Sequence, residues 1–173
     1  MARVVQLPLQ RRIQGFDDLR PRLPQLDVFL LHARDDALDP DVRAIDVAKE
    51  AGLDEEAARW ASNLAFAYIR QGRWERAEAI NNESRRLAGE KSDLTGYYVL
   101  NAADIARGRK RPDDAARLYR ETLALAKTRP SLEWAARQGL ASLAIARQER
   151  DEAQRELEAA IALVERTRSE LLK

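Results

Sequence analysis

Chemistry at neutral pH needs a nucleophile, a base or a set of metal ligands, and this sequence offers few of them. Its single histidine, His32 in "LLHAR", has no cysteine, second histidine or serine elbow near it. Such a histidine reads as a helix-surface or partly packed side chain rather than a base or ligand. Cysteine is absent from all 173 residues, which removes disulfides, thiolate metal sites and cysteine nucleophiles. The carboxylate clusters Asp35-Asp36, Asp113-Asp114 and Glu149/Asp151/Glu152 stand where helices should begin, and there they complement the positive end of the helix dipole. "GRKRP" at 108–112 is a basic turn without the glycine spacing of a phosphate loop. The sequence therefore predicts no catalytic, cofactor-binding or metal-binding residue, no cofactor, and no enzymatic role for this chain alone.

The elements that carry these residues are helical. The chain is 45% hydrophobic and 34% charged, with seven Gly and six Pro, which is too apolar for a disordered chain and biased toward helix formers. Thirty basic residues nearly cancel 29 acidic ones, so a net charge of +1 gives no global field to draw in nucleic acid or an anionic membrane. No apolar run approaches the roughly 20 residues that span a bilayer. "MARVVQLPLQRR" lacks the apolar length and cleavage site of a signal peptide, and with the missing cysteines this predicts a cytoplasmic protein.

Within "WASNLAFAYIRQGRWERAEA", at positions 60–79, small side chains alternate with large ones, and the pattern returns twice more at one fixed interval. Ala65 falls on Ala103 and Ala141, Ala77 on Ala115 and Ala153, Leu87 on Leu125 and Leu163, and Leu94 on Leu132. A period of this length marks a stack of supersecondary units. In the first copy, Ala58, Ala61, Leu64, Ala65 and Tyr68 keep helical spacing over roughly 55–70, and Gly72 in "QGR" breaks the helix. A second helix then turns Ala77, Ile80, Leu87 and Ala88 inward. "RGRKRPDD" breaks the second copy, with Pro112 in a first helical turn, and "RQERDE" breaks the third without Gly or Pro. Ser92 and Ser131 are the expected caps between copies. Small residues at Ala65 and Ala77 allow the two helices of a hairpin to approach closely, beside the larger Tyr68 and Trp74.

These residues resemble the tetratricopeptide repeat family, whose signature is W-x2-L-G-x2-Y followed by A-x3-F. The first copy reads Ala61, Leu64-Ala65, Tyr68, Ala77, Asn81; the second Val99, Ala102-Ala103, Ala106, Ala115, Tyr119; the third Arg137, Leu140-Ala141, Ala144, Ala153, Leu157. The period is 38 rather than 34, the signature Trp is missing, and Asn81 replaces the family's aromatic. The resemblance covers roughly 55–165. It implies an all-α, TPR-like helical-hairpin solenoid, a right-handed superhelix of about seven or eight helices. The predicted units are an irregular segment at 1–24, a degenerate hairpin or cap at 25–54, repeats at 55–91 and 92–130, and a repeat with an extended last helix at 131–173. In the degenerate hairpin, Leu26, Val28, Phe29 and Leu30 belong to a first helix, and Asp39-Pro40-Asp41 opens a second holding Val42, Ile45, Val47 and Ala48.

The last stretch, "ELEAAIALVERTRSELLK", resembles the helix that leaves the repeat array of bacterial CHAT (caspase-like) proteins, with Leu157, Ile161, Val164 and Leu171 forming one apolar face. That resemblance implies a recognition arm whose catalytic domain is not in this chain. The family register also implies a concave groove lined by the first helix of each copy. Its predicted partner-binding residues are Arg59, Ser62, Asn63, Phe66 and Arg70, then Tyr97, Asn101, Asp104 and Arg107, then Gln138 and Ser142. Asn63 and Asn101 share the repeat position at which family members hold a ligand's backbone, and the arginines suit carboxylates. The expected partner is a protein or peptide, or the chain's own further domain, and no membrane. Docking or self-association of a purely structural array is one alternative; weak nucleic-acid binding through Arg-rich faces is a second, disfavoured by the charge balance.

Overall fold

The computed structural model describes residues 39–89 and 92–171, with side chains described for 42–89 and 92–169. His32, Asp35-Asp36, the 1–24 segment and the first helix expected upstream lie outside the described residues. Seven helices and no strand occur among the described residues: α1 (Asp39–Glu50), α2 (Asp54–Arg70), α3 (Trp74–Ala88), α4 (Thr95–Gly108), α5 (Pro112–Ala126), α6 (Pro130–Ala146) and α7 (Arg150–Leu171). The described residues are all-α.

Three hairpins, α2/α3, α4/α5 and α6/α7, account for the closest helix pairings, and α1 packs on α2. Successive hairpins meet through α3 against α4 and α5 against α6. In addition, α4 touches both α2 and α6, so the first helices stand in a row. The alternation of side-chain size explains the close pairing. Ala65, Ala103 and Ala141 are 0%, 0% and 1% exposed, and Ala77, Ala115 and Ala153 are likewise 0%, 0% and 1% exposed. Equivalent alanines are thus equally buried. The leucines in phase do not: Leu163 is buried and Leu87 half-buried against the core, but Leu125 is exposed.

The turns inside the hairpins are built alike. Gly72, Lys110 and Gln148 occupy one repeat position in the three copies, and all adopt left-handed backbone with φ of 71°, 58° and 62°. In each turn two backbone bonds close back onto the helix just ended. Gly72 and Arg73 donate to Ile69 and Tyr68 at 3.0 and 2.9 Å, Lys110 and Arg111 to Arg107 and Ala106 at 3.0 and 2.9 Å, and Gln148 and Glu149 to Ile145 and Ala144 at 3.0 and 2.9 Å. Those bonds satisfy the helix's last carbonyls. They hold Lys110 and Gln148 in a conformation that glycine adopts freely, which is how "RQERDE" turns without Gly or Pro.

One expectation, the serine caps, is corrected. Ser131 lies inside α6, where Pro130 takes the first turn, and Ser92 accepts from the Leu94 N–H at 3.1 Å ahead of α4 without capping the helix itself. In α1, Ile45 and Ala48 are buried with Val42 packed beside them, but Val47 faces solvent at 63% exposure. In α7 the buried stripe is Ala153, Ala160 and Leu163, while Ile161 and Val164 are exposed. Each of those two follows a buried residue by one position, about 100° around the helix.

Candidate functional site

The junction between the first two hairpins is fastened by polar side chains. Asn101 on α4 donates through Nδ2 to the Ser62 carbonyl on α2 at 3.1 Å and to Asn81 Oδ1 on α3 at 3.2 Å. Asn81 Nδ2 in turn donates to the Tyr98 carbonyl of α4 at 2.9 Å. Ser62, Asn81 and Asn101 are all buried, at 6%, 5% and 5% exposure. Burial of amides without partners is costly, and here the partners are supplied mutually. Ser62 and Asn101, predicted to face a ligand, are therefore corrected: they bind neighbouring helices.

The second junction uses a different solution at the same repeat positions. Tyr119 holds the repeat position of Asn81, and Gly139 holds that of Asn101. The Tyr119 ring lies against Gly139, so closely that a Cβ there would come within 2.3 Å of it. The phenol donates to Asp104 Oδ1 at 2.6 Å, and Arg107 Nε donates to the phenol oxygen at 3.0 Å. Burial, with the Asp104 carboxylate alongside, pushes the Tyr119 phenol well above its ordinary range, so it remains a donor. Asp104, only 6% exposed, is thus also corrected from groove residue to junction residue. Arg107 pairs with it at 3.3 Å and keeps 45% of its side chain exposed.

The other predicted residues remain accessible to differing degrees. Asn63, Phe66, Tyr97, Gln138 and Ser142 are half-buried; Arg59 and Arg70 are exposed. Arg59 pairs with Glu55 at 3.3 Å, and Arg129 lies 6.0 Å from the centre of the Tyr97 ring. Gln138 and Ser142 line a hollow between α6 and α7 with Trp134, Ile145 and Leu157. Of Arg59, Arg70 and Arg107, the arginines expected to suit carboxylates of a ligand, Arg59 and Arg107 are already paired with carboxylates of their own helices.

The basic turn at 108–112 is likewise engaged. Arg109 bonds Glu78 at 2.6 Å and Glu75 at 3.2 Å across the junction, and Arg147, at the same repeat position as Arg109, likewise pairs with Asp113 in the preceding hairpin. Residues that sequence reading missed as important are Asn81 and Tyr119. The available signal was that the family's aromatic position holds an amide in one copy and a tyrosine in the next.

A row of first helices, backed by second helices and pinned at each junction, defines a helical-hairpin repeat array. Among the described residues no group of three or more His, Cys, Asp or Glu is placed to hold a metal ion, and no helix is long and apolar enough to cross a membrane. Residues 56–128, which run from the third residue of α2 past the end of α5, match the family model described as Tetratricopeptide repeat, so these two hairpins are similar to tetratricopeptide repeats. No curated protein and no solved structure matches it. Tetratricopeptide repeats are non-catalytic modules that mediate protein–protein interaction.

Proposed function

We propose that the array binds a peptide or a partner's helix along the face formed by α2, α4 and α6. The observation that supports this is the row itself, since α4 touches both α2 and α6 and so makes one continuous surface from three hairpins. Stacked hairpins hold such a surface rigid, and a rigid surface lowers the ordering cost of binding. Asn63, Phe66, Arg70, Tyr97 and Arg107 are the contact residues, with Arg59, Gln138 and Ser142 at its ends. Ser62, Asn101 and Asp104 act indirectly, by fixing how the first helices stand.

In this reading 55–91, 92–130 and 131–173 are the repeat units, 25–54 is a degenerate hairpin or cap, and the protein works in the cytoplasm. The narrower role of recognition arm in a larger bacterial protein, such as a CHAT protease, rests on the resemblance of 156–173 alone.

A displayed library of random peptides selected on the immobilised protein tests the site. Selected peptides should lose at least about tenfold in affinity for the triple variant Asn63→Ala/Arg70→Ala/Tyr97→Ala, the loss of one or two good contacts. Unchanged affinity, with unchanged helicity by circular dichroism, contradicts it.

A further inference from the structure

Away from the row of first helices, between α3 and α5, lies a cleft of about 210 Å³ floored by α4. Ala102, Ile105 and Ala106 form the floor, and Asn81 and Leu118 stand on opposite walls. The chain itself shows why this space is open. One junction further on, Leu140 occupies the repeat position of Ala102 and Tyr119 that of Asn81. Leu140 and Tyr119 are buried, at 5% and 0% exposure, and pack in one cluster with Ala115 and Ala116. Alanine is three carbons shorter than leucine. The second junction fills from within a volume that the first leaves open to solvent.

The rim is charged but neutralised in pairs. Glu78 is held by Arg109 at 2.6 Å and reached by Arg111 at 4.0 Å, while Asp114 lies 3.8 Å from Arg111 and 3.9 Å from Arg117. A bare charge entering this rim would meet both signs, so the paired charges favour neither an anion nor a cation there. The volume lies below the roughly 300–1,000 Å³ of sites for drug-sized ligands and suits one side chain.

We propose that this cleft docks a single leucine-sized apolar side chain of a partner polypeptide, in the place that Leu140 fills at the next junction. The anchor would touch both α3 and α5 and so clamp two hairpins together. It is separate from the face formed by α2, α4 and α6, and either site can fail without the other.

The test is a titration of the full chain with N-acetyl-leucine N-methylamide, followed by the methyl resonances of Ala102, Ile105, Ala106 and Leu118. The alanine analogue and free leucine serve as comparisons. Saturable shifts confined to those methyls are expected, with affinity about tenfold or more weaker for the alanine analogue, the loss expected for three buried carbons. Ala102→Leu fills the cleft and should weaken binding by about tenfold or more on the same grounds. Its melting temperature should stay at or above the parent's, whereas Ala65→Leu, at a 0%-exposed contact, should melt lower. Asn82→Phe, on the exposed rim, blocks the cleft without touching the core and should weaken binding too. The Asn63→Ala/Arg70→Ala/Tyr97→Ala variant should bind the probe like the parent. Shifts spread over many surface methyls, parental affinity in both blocked variants, or an Ala102→Leu melt as low as that of Ala65→Leu overturns the proposal. Tighter binding of free leucine than of the capped form also overturns it, because that identifies an amino-acid site.

Discussion

The side-chain amide of Asn101 reaches Asn81 Oδ1 at 3.2 Å and the Ser62 carbonyl at 3.1 Å, so one buried group joins two hairpins through three helices. One repeat later the same two positions hold Tyr119 and Gly139, a large ring against no side chain at all. Each junction is complementary within itself, and the two solutions are not interchangeable.

Asn101→Ala removes the donor and leaves buried acceptors on Asn81 and Ser62 without it. An unsatisfied buried polar group costs about 1–3 kcal/mol, and that is the expected loss in urea unfolding. In a double-mutant cycle with Asn81→Ala the two losses should fall short of additivity by about 0.5 kcal/mol or more. Additive losses would mean that the amides act separately.

Gly139→Ala sets two effects against each other. In an exposed helix interior alanine is favoured over glycine by about 1 kcal/mol. At Gly139 the new Cβ would lie 2.3 Å from the Tyr119 ring, which is itself wedged by its bonds to Asp104 and Arg107. Overpacking of this kind costs about 1–3 kcal/mol, so the variant should be less stable than the parent by calorimetry. A raised melting temperature would mean that the ring moves aside.

These two junctions mark the limit of what the sequence discloses. Helix positions follow from the spacing of apolar residues, and the alanines of closest approach follow from their return in every copy. Asn101 shows the limit: its repeat position says that it lies between first helices, but not which side it serves. Its partner Asn81 is far off along the chain, and the bond exists only once α3 and α4 are packed. Ile161 and Val164 show another limit, since an apolar side chain on a helix satisfies the periodicity whether or not anything covers it, and these two are exposed. Lys110 and Gln148 give no compositional sign of the left-handed turns they make.

Glu83 ties α1 to the first hairpin. It accepts two bonds at 2.8 Å from Arg86 and pairs with Lys49 of α1 at 2.8 Å. The Arg86 bonds first, and Lys49 second, lower its pKa from 4.5 to about 2. A carboxyl whose folded pKa lies below its unfolded value stabilises the fold fully above the unfolded value, and the contribution is lost as pH falls from about 4.5 toward 2. Urea midpoints measured at pH 6 and pH 3 should therefore differ less in Glu83→Gln than in the parent. Equal differences would show that Glu83 is not the group responsible.

The central claim, that α2, α4 and α6 present one surface to a polypeptide, is tested most directly by mapping where a bound peptide lies. A peptide selected on the Ala102→Leu protein, whose cleft between α3 and α5 is filled, would carry a benzophenone at its centre and be photo-crosslinked. Mass spectrometry of the digested adduct should place the attachments at Asn63, Phe66, Tyr97 and their neighbours on the first helices. Attachments concentrated on the outer faces of α3, α5 and α7 would contradict the claim.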